Sequence, residues 1–438
     1  MRDLKIFTDN IEEKAIEQID LLLSQDAFKD CKIRIMPDVH AGKGCVIGFT
    51  GDFGDKVIPN IVGVDIGCGM LCANLGKIDI DYKKLDDFIN ENIPSGMNVN
   101  ENKRADFDLK QLYCYDKLKS YKWIENSVGS LGGGNHFIEI DEADDKEKYL
   151  VIHSGSRNLG AQVAELYQEL ADQIVNHGLI DYLNNRNETI KIYKEQGRQS
   201  EIQARLNELK KEYDKNKNVI PYELAYLEGE YRDQYLHDMK LCQEFAVLNR
   251  YTIAKTIADY MNWNLDNYFE SIHNYISFED NIIRKGAISA KKGQSVIIPI
   301  NMRDGCIIGV GKGNEDWNNS APHGAGRIMS RKQAAETVDL EKYKEAMKDI
   351  YTTSVREETK DEAPFVYKPI EEILEKIKPT VEVTKIIKPV YNFKASELPE
   401  WKKIKNEYDS ECYKKALEEH KKNPPIYTID EIKEELGL

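Results

Sequence analysis

Asp65 and Cys68 stand three residues apart in G-V-D-I-G-C-G-M, residues 63 to 70, where an apolar run ends in glycines. A carboxylate and a thiol at that spacing turn toward one point only if the chain bends between them, and Gly67 and Gly69 supply that freedom. The same pattern also describes a tight turn around a buried cysteine. The distribution of histidine favours a metal. Of eight His, five (His40, His136, His153, His273 and His323) sit in short motifs rich in Gly, Asn and Ser and flanked by apolar residues, whereas His177, His237 and His420 lie in charged, helix-like stretches. A site joining Asp, Cys and several His suits Mn, Fe, Co or Zn better than Mg or Ca.

Three further motifs point to phosphate chemistry. In V-G-S-L-G-G-G-N-H-F-I-E, residues 128 to 139, successive glycines expose backbone N–H groups able to cradle a phosphate. In H-S-G-S-R-N-L-G, Arg157 follows His153 by four residues, the reach of a guanidinium that grips an anion or forms a surface salt bridge. In A-P-H-G-A-G-R-I-M-S-R, residues 321 to 331, a helix opening at Gly324 would put Arg327 and Arg331 on the face of His323 and aim its N-terminus at a phosphate. Neutral imidazole there has a lone pair for attack on phosphorus. A ligand or helix-cap role for His323 is the competing reading, and Asp38 and His40, in M-P-D-V-H-A-G-K-G, read as partners of a metal ligand or as turn caps.

The elements that must position these residues alternate between strand and helix patterns. Asn10 with Glu13 has the form of a capping box before a first helix carrying Ile11, Ala15, Ile19 and Leu22. Strand-like runs follow around Ile33 and Ile35 and at 45–48, 57–64, 70–75 and 149–152, and later at 295–300, 306–310 and 381–394. Residues 161–261 are mostly helical in pattern, and 179–218, dense in charge, reads as a helical hairpin with a solvated face. Residues 398–438 read as a helical tail. The fold class expected is α+β: one catalytic domain over 1–397 with central sheets flanked by helices, plus a C-terminal extension.

The net charge of −15 argues against a globally basic nucleic-acid binder, although residues 281–312 hold six basic side chains against Asp304 and form a candidate basic patch. Eight Cys without a C-x-x-C pair argue against a disulfide framework and fit a reducing cytosol. With neither a signal-peptide pattern nor a membrane-length apolar run, a cytoplasmic location and no membrane partner are expected.

Together the motifs resemble the RtcB-type RNA ligases, from about Ile33 to Ala395, through P-D-V-H-A-G-K-G, the four glycine-rich motifs above, His273-Asn274, D-E-A-P-F-V-Y-K at 361–368 and Lys394. The resemblance implies an enzyme that joins RNA 3'-phosphate or 2',3'-cyclic phosphate ends to 5'-hydroxyl ends in tRNA splicing or RNA repair, using GTP and two Mn2+ ions. It implies metal ligation by Asp65, Cys68, His136, His153 and His273, with GMP carried on His323. It implies a GTP site of Asn135, His136, Phe137, Ile138, Glu139, His273, Asn274, Pro299, Ile300, Asn301, Met302, Cys306, His323, Gly324, Ala325, Gly326, Tyr367 and Lys394, and phosphate or RNA contacts by Arg157, Arg327 and Arg331. An activating protein is a candidate partner. Asn301 and Cys306 stand where that family often has serines, and Lys394-Ala395 replaces its terminal Lys-Gly. The alternatives are a dimetal phosphoesterase with His323 as general acid, and a non-catalytic RNA-binding scaffold.

Overall fold

Alternation with a period of two builds the main sheet. Met70 and Cys72 face one side of the Gly69–Gly76 strand and Leu71 and Ala73 the other, and Ile138 and Ile140 likewise oppose Phe137 in Phe137–Glu142. The computed structural model describes residues 3–215 and 220–394, so the expected helical tail at 398–438 lies outside the described residues. Seven antiparallel strands run in the order Ser295–Asn301, Gly305–Gly311, Val381–Lys394, Phe137–Glu142, Lys148–Ser154, Gly69–Gly76, Tyr268–Ile272. The two outer strands approach each other, and Ile297 N–H donates to Ser271 Oγ (3.1 Å). The sheet therefore wraps around an inner layer of Met70, Cys72, Phe137, Val151, Ile297, Cys306 and Ile387. A second sheet, of five strands, places Lys32–His40 between Asp3–Ile6 and Ile47–Asp52. The result is the α+β architecture expected.

The outer face of the seven-stranded sheet packs on the 33-residue helix Gly229–Met261 through Ile253, Ala254 and Ile257, all fully buried. Each of the two isoleucines contributes about 1.5–3 kcal/mol by leaving water. This helix also carries buried polar groups. Arg250 pairs in bidentate fashion with Glu270 (2.9 and 3.1 Å) and donates to the carbonyls of Gly67 (2.7 Å) and Ser154 (2.9 Å). Asn249 accepts from Gly129 N–H (2.8 Å) and donates to Gly155 O (3.0 Å). Two adjacent helix residues thus fasten three of the turns that carry the chemically interesting side chains.

Local structure departs from the sequence pattern at several points. The first helix spans Glu13–Ser24 and buries Ala15, Ile19 and Leu22, but no side chain caps it, because Glu12 Oε1 instead accepts from Ala41 N–H (2.5 Å). The apolar run 57–64 is not one strand: Pro59 starts a helical turn, Pro59–Val62, which Gly63 ends at φ 95°. The charged segment does form two helices packed on each other, Leu179–Glu195 and Ile202–Tyr213, and the first buries none of its residues.

Replacing Arg250 with Leu should cost about 3–5 kcal/mol, the penalty for leaving a buried carboxylate and two carbonyls without their cation. Urea denaturation of the two proteins side by side measures it. A loss below about 1 kcal/mol would show that the helix holds the turns by packing alone.

Candidate metal and nucleotide site

Five donor groups converge at the ends of the main-sheet strands. Cys68 Sγ lies 3.4 Å from His136 Nε2 and 3.3 Å from His153 Nε2. His136 Nε2 is 3.0 Å from Asp65 Oδ2, and His153 Nε2 is 3.3 Å from His273 Nε2. The bend between Asp65 and Cys68 is a turn closed by Cys68 N–H on Asp65 O (3.2 Å), with Gly67 at φ 74°. A Cβ on Gly67 would sit 2.9 Å from the Gln243 backbone, and one on Gly155 would sit 2.1 Å from Asp65 Oδ1, so both positions require glycine.

Proton bookkeeping shows what this cluster lacks. The Leu131 carbonyl accepts from His136 Nδ1 (2.9 Å) and the Asn135 carbonyl from His153 Nδ1 (3.1 Å), which turns both Nε2 atoms toward Cys68. Burial pushes His153 and His273 well below the usual imidazole range, so they stay neutral. Burial, with the Asp65 charge next, pushes the Cys68 thiol well above its usual range. Imidazole nitrogens facing a thiol and a carboxylate at these distances form a donor set for transition-metal cations, and thiolate formation is then coupled to metal binding.

His323 stands beside this cluster, its ring centroid 4.9 Å from that of His273. Fully buried Asp38 accepts from both His323 Nδ1 (2.7 Å) and its backbone N–H (3.2 Å) through Oδ2. Asp38 is therefore the partner of His323 rather than of a metal ligand, and it fixes the tautomer in which His323 Nε2 is free. His40, with Nδ1 on the Asp38 carbonyl (3.0 Å), lines the cavity that opens here.

That cavity runs from His153, His273 and His323 to Glu362, Tyr367 and Lys394, and its lining includes Asn135, Phe137, Glu139, Pro299, Ile300, Asn301, Met302, Gly324, Ala325 and Gly326. Four expected residues stand behind the lining, His136 among them as part of the Asp65–Cys68–His cluster. Ile138 points into the core under the Gly229–Met261 helix, Cys306 belongs to the inner layer of the sheet, and Asn274 accepts from Gly286 N–H through Oδ1. The Asn301 side chain spans its own hairpin, donating to Asp304 and accepting from the backbone of Arg303 and Asp304.

The chain from residue 25 to 395 matches the family model described as tRNA-splicing ligase RtcB, in two overlapping stretches, 25–121 and 113–395. It is 31% identical over 405 residues to the RNA-splicing ligase RtcB of Escherichia coli (strain K12), covering 82% of this chain and 88% of that protein. It is 27% identical to the tRNA-splicing ligase RtcB of Nanoarchaeum equitans and 25% identical to that of Methanococcus maripaludis, covering 84% of this chain in both cases and 89% and 88% of those proteins. The chain belongs to the RtcB family.

Two residues of this RtcB chain that sequence reasoning passed over organise the far end of the cavity. Glu362 accepts from Lys394 Nζ (2.7 Å) and Tyr367 OH (2.6 Å) through Oε2, and its Oε1 meets Arg327 (3.3 Å) and Arg331 (2.6 Å). Although burial opposes it, Lys394 and Arg331 hold its carboxyl down at about 2. Asn392, opposite Glu139 in the strand register, donates to Glu139 Oε1 (2.6 Å). The signal for Glu362 was the acid in D-E-A-P-F-V-Y-K; Asn392 left none.

The arginines differ from expectation. Residues 326–328 pair with 366–368 through Lys368 N–H on Gly326 O (3.0 Å) and Ile328 N–H on Val366 O (2.9 Å), so no helix opens at Gly324. The helix begins at Arg331, capped by Ser330. Arg327 and Arg331 line the cavity while bound to Glu362, and Arg157 donates to Ser130 Oγ (3.0 Å) and Gly96 O (2.8 Å) beside the glycine-rich turn. The basic patch does not form as an open surface: Arg284 is buried against Asp280, Lys285 is buried on the carbonyls of Lys43 and Asn60, and Lys291 and Arg303 pair with acids. Among the described residues no helix is long and apolar enough to cross a membrane.

Burial pushes the Glu139 carboxyl from its usual 4.5 up to about 8. The native state then keeps a proton that the unfolded chain releases, so this group's stabilising effect is complete below pH 4.5 and is lost as pH rises through about 8. Without metal, the melting temperature of Glu139→Gln should gain on that of the parent across this window. Parallel pH profiles for the two proteins would show that Glu139 is ionised throughout.

Proposed function

We propose that this RtcB-family chain is a GTP- and Mn2+-dependent ligase that joins RNA 3'-phosphate or 2',3'-cyclic phosphate ends to 5'-hydroxyl ends, through a guanylate carried on His323. The observation that carries the reading is the Asp38–His323 pair beside the Asp65–Cys68–His cluster. Asp38 keeps the proton on Nδ1, so Nε2 presents a lone pair without first losing a proton, and the carboxylate offsets the positive charge that the ring acquires on attack.

The donor set fits Mn2+, which Asp65, Cys68, His136, His153 and His273 would hold. When bound, the metal supplies Lewis-acid stabilisation of phosphoryl oxygens. His323 Nε2 attacks the α-phosphorus of GTP, a P–N bond forms, the bond to the β-phosphate oxygen breaks, and pyrophosphate leaves. An RNA 3'-phosphate oxygen then displaces His323 from phosphorus. The 5'-hydroxyl attacks the activated 3'-phosphate, loses its proton, and GMP departs as the phosphodiester closes. A cyclic phosphate is opened by water beforehand.

At the far end, Glu362 holds Lys394 and Tyr367 in reach of a purine, Lys394 to donate to guanine O6 and Tyr367 to stack. Glu139 accepts from the guanine N1–H and N2–H edge when ionised. Tyrosine and the paired arginines suit a nucleotide better than a small phosphoester, which favours the ligase over a dimetal phosphoesterase. A cytoplasmic location and tRNA or damaged RNA as substrate accord with this reading.

Incubation with Mn2+ and GTP labelled at the α-phosphate should leave acid-labile label on the denatured chain. His323→Ala should abolish the label, and Cys68→Ala should reduce it at least about 100-fold through loss of metal. Label absent from the parent, with phosphate released from a 3'-phosphorylated RNA instead, would overturn the ligase reading in favour of hydrolysis.

A further inference from the structure

Asp141 lies on the enclosed face of the main sheet, two residues beyond Glu139, with 0% exposure; neither carboxylate oxygen receives an N–H or O–H, and the Cys306 thiol is the one polar group that acts on it as a hydrogen-bond partner. Asp141 stands opposite Pro389 in the strand register, and the ladder slips between Pro389 and Tyr391. Asn392, also fully buried, donates to Glu139 through Nδ2 and leaves its Oδ1 without a partner. On the neighbouring strand Cys306 is fully buried, and donor atoms of Glu139, Asp141 and Cys306 all lie within 4.8 Å of one another. Lys394 is the cation that acts on Glu139, and none acts on Asp141; a carboxylate so enclosed either stays neutral or holds a metal ion.

We propose that Glu139, Asp141 and Cys306 bind a divalent transition ion of the zinc class, beneath the nucleotide cavity and separate from the Asp65–Cys68–His centre. Two carboxylates and a thiol match the ligand preferences of Zn2+ and disfavour Mg2+ and Ca2+, which avoid sulfur. Glu139 and Asn392 reach the cavity and give the ion its route to the interior. Binding releases the Cys306 thiol proton, and any carboxyl proton, to solvent. The ion gives Glu139 a counter-charge, so that it can remain an acceptor for a purine edge. Only this last consequence rests on the nucleotide reading.

The test uses the full-length chain, stripped of metal and reloaded with Co2+ or Zn2+, in a Cys68→Ala background that removes the first centre's thiolate. Co2+ should still give a thiolate-to-cobalt charge-transfer band, and adding Cys306→Ser should remove it. Asp141→Asn, nearly isosteric, should leave the metal-free melting temperature close to that of its parent, lower the tightly held zinc by about one equivalent, and abolish the zinc-dependent rise in melting temperature. A band that is absent in Cys68→Ala, or survives Cys306→Ser, would overturn the proposal. So would an unchanged zinc-dependent rise in Asp141→Asn, which would make Asp141 a neutral buried acid. Should Asp141→Asn fold poorly, the Cys306→Ser spectrum still decides. None of these readouts needs GTP, so a failed guanylate assay would leave the metal site standing.

Discussion

Backbone groups in glycine-rich turns have no ladder to complete, and in a buried site each unpaired one is costly. Here the cost is met by two consecutive residues of one helix. Asn249 and Arg250 point in different directions from the Gly229–Met261 helix and bind the turns at Gly67, Gly129 and Gly155, whose neighbours are Asp65, Cys68, His136 and His153. The side chains of the cluster are thus placed largely through backbone groups that a rigid element holds. Arg250 is itself neutralised by Glu270, so the clamp brings no unbalanced charge into the core.

The cavity is electrically divided. Its metal end gathers neutral imidazoles around a thiol and a carboxylate and calls for cations, whereas its far end draws Lys394, Arg327, Arg331 and Tyr367 onto the single carboxylate of Glu362. The far end thus presents basic groups already organised on one carboxylate. Asp38 serves the junction, holding His323 in one tautomer. Binding energy is therefore directed to groups already fixed in place, which lowers the ordering cost of recognition.

Much of this was legible from residue type. The Asp, Cys and His residues of the cluster were conspicuous because they sit in short motifs rich in Gly, Asn and Ser, and the strand pattern around them survived almost intact. What failed was context. Pro59 converts an apolar run into a helical turn, and the Asn10 cap is displaced because Glu12 bonds the distant Ala41 amide. Most of the basic cluster at 281–312 is taken up inside the protein: Arg284 and Lys291 pair with Asp280 and Glu279, which stand just before residue 281, and Lys285 is buried on the Lys43 and Asn60 carbonyls. Asp38 carried a polar role in the reading, yet its pairing with His323 spans 285 residues and no local pattern encodes it. Asn392 is part of a strand whose text looks like any other.

The order of strands has a consequence for assembly. Val381–Lys394, the last strand of the described chain, is neither first nor last in the sheet but sits between Gly305–Gly311 and Phe137–Glu142, and it delivers Asn392 and Lys394 to the cavity. During synthesis both flanking strands emerge long before it, each with an unpaired edge inviting non-native pairing. The Glu362–Lys394 end of the cavity can close only after the chain through Lys394 has left the ribosome. A nascent chain stalled short of that point would carry a nearly complete metal cluster on an open, aggregation-prone sheet.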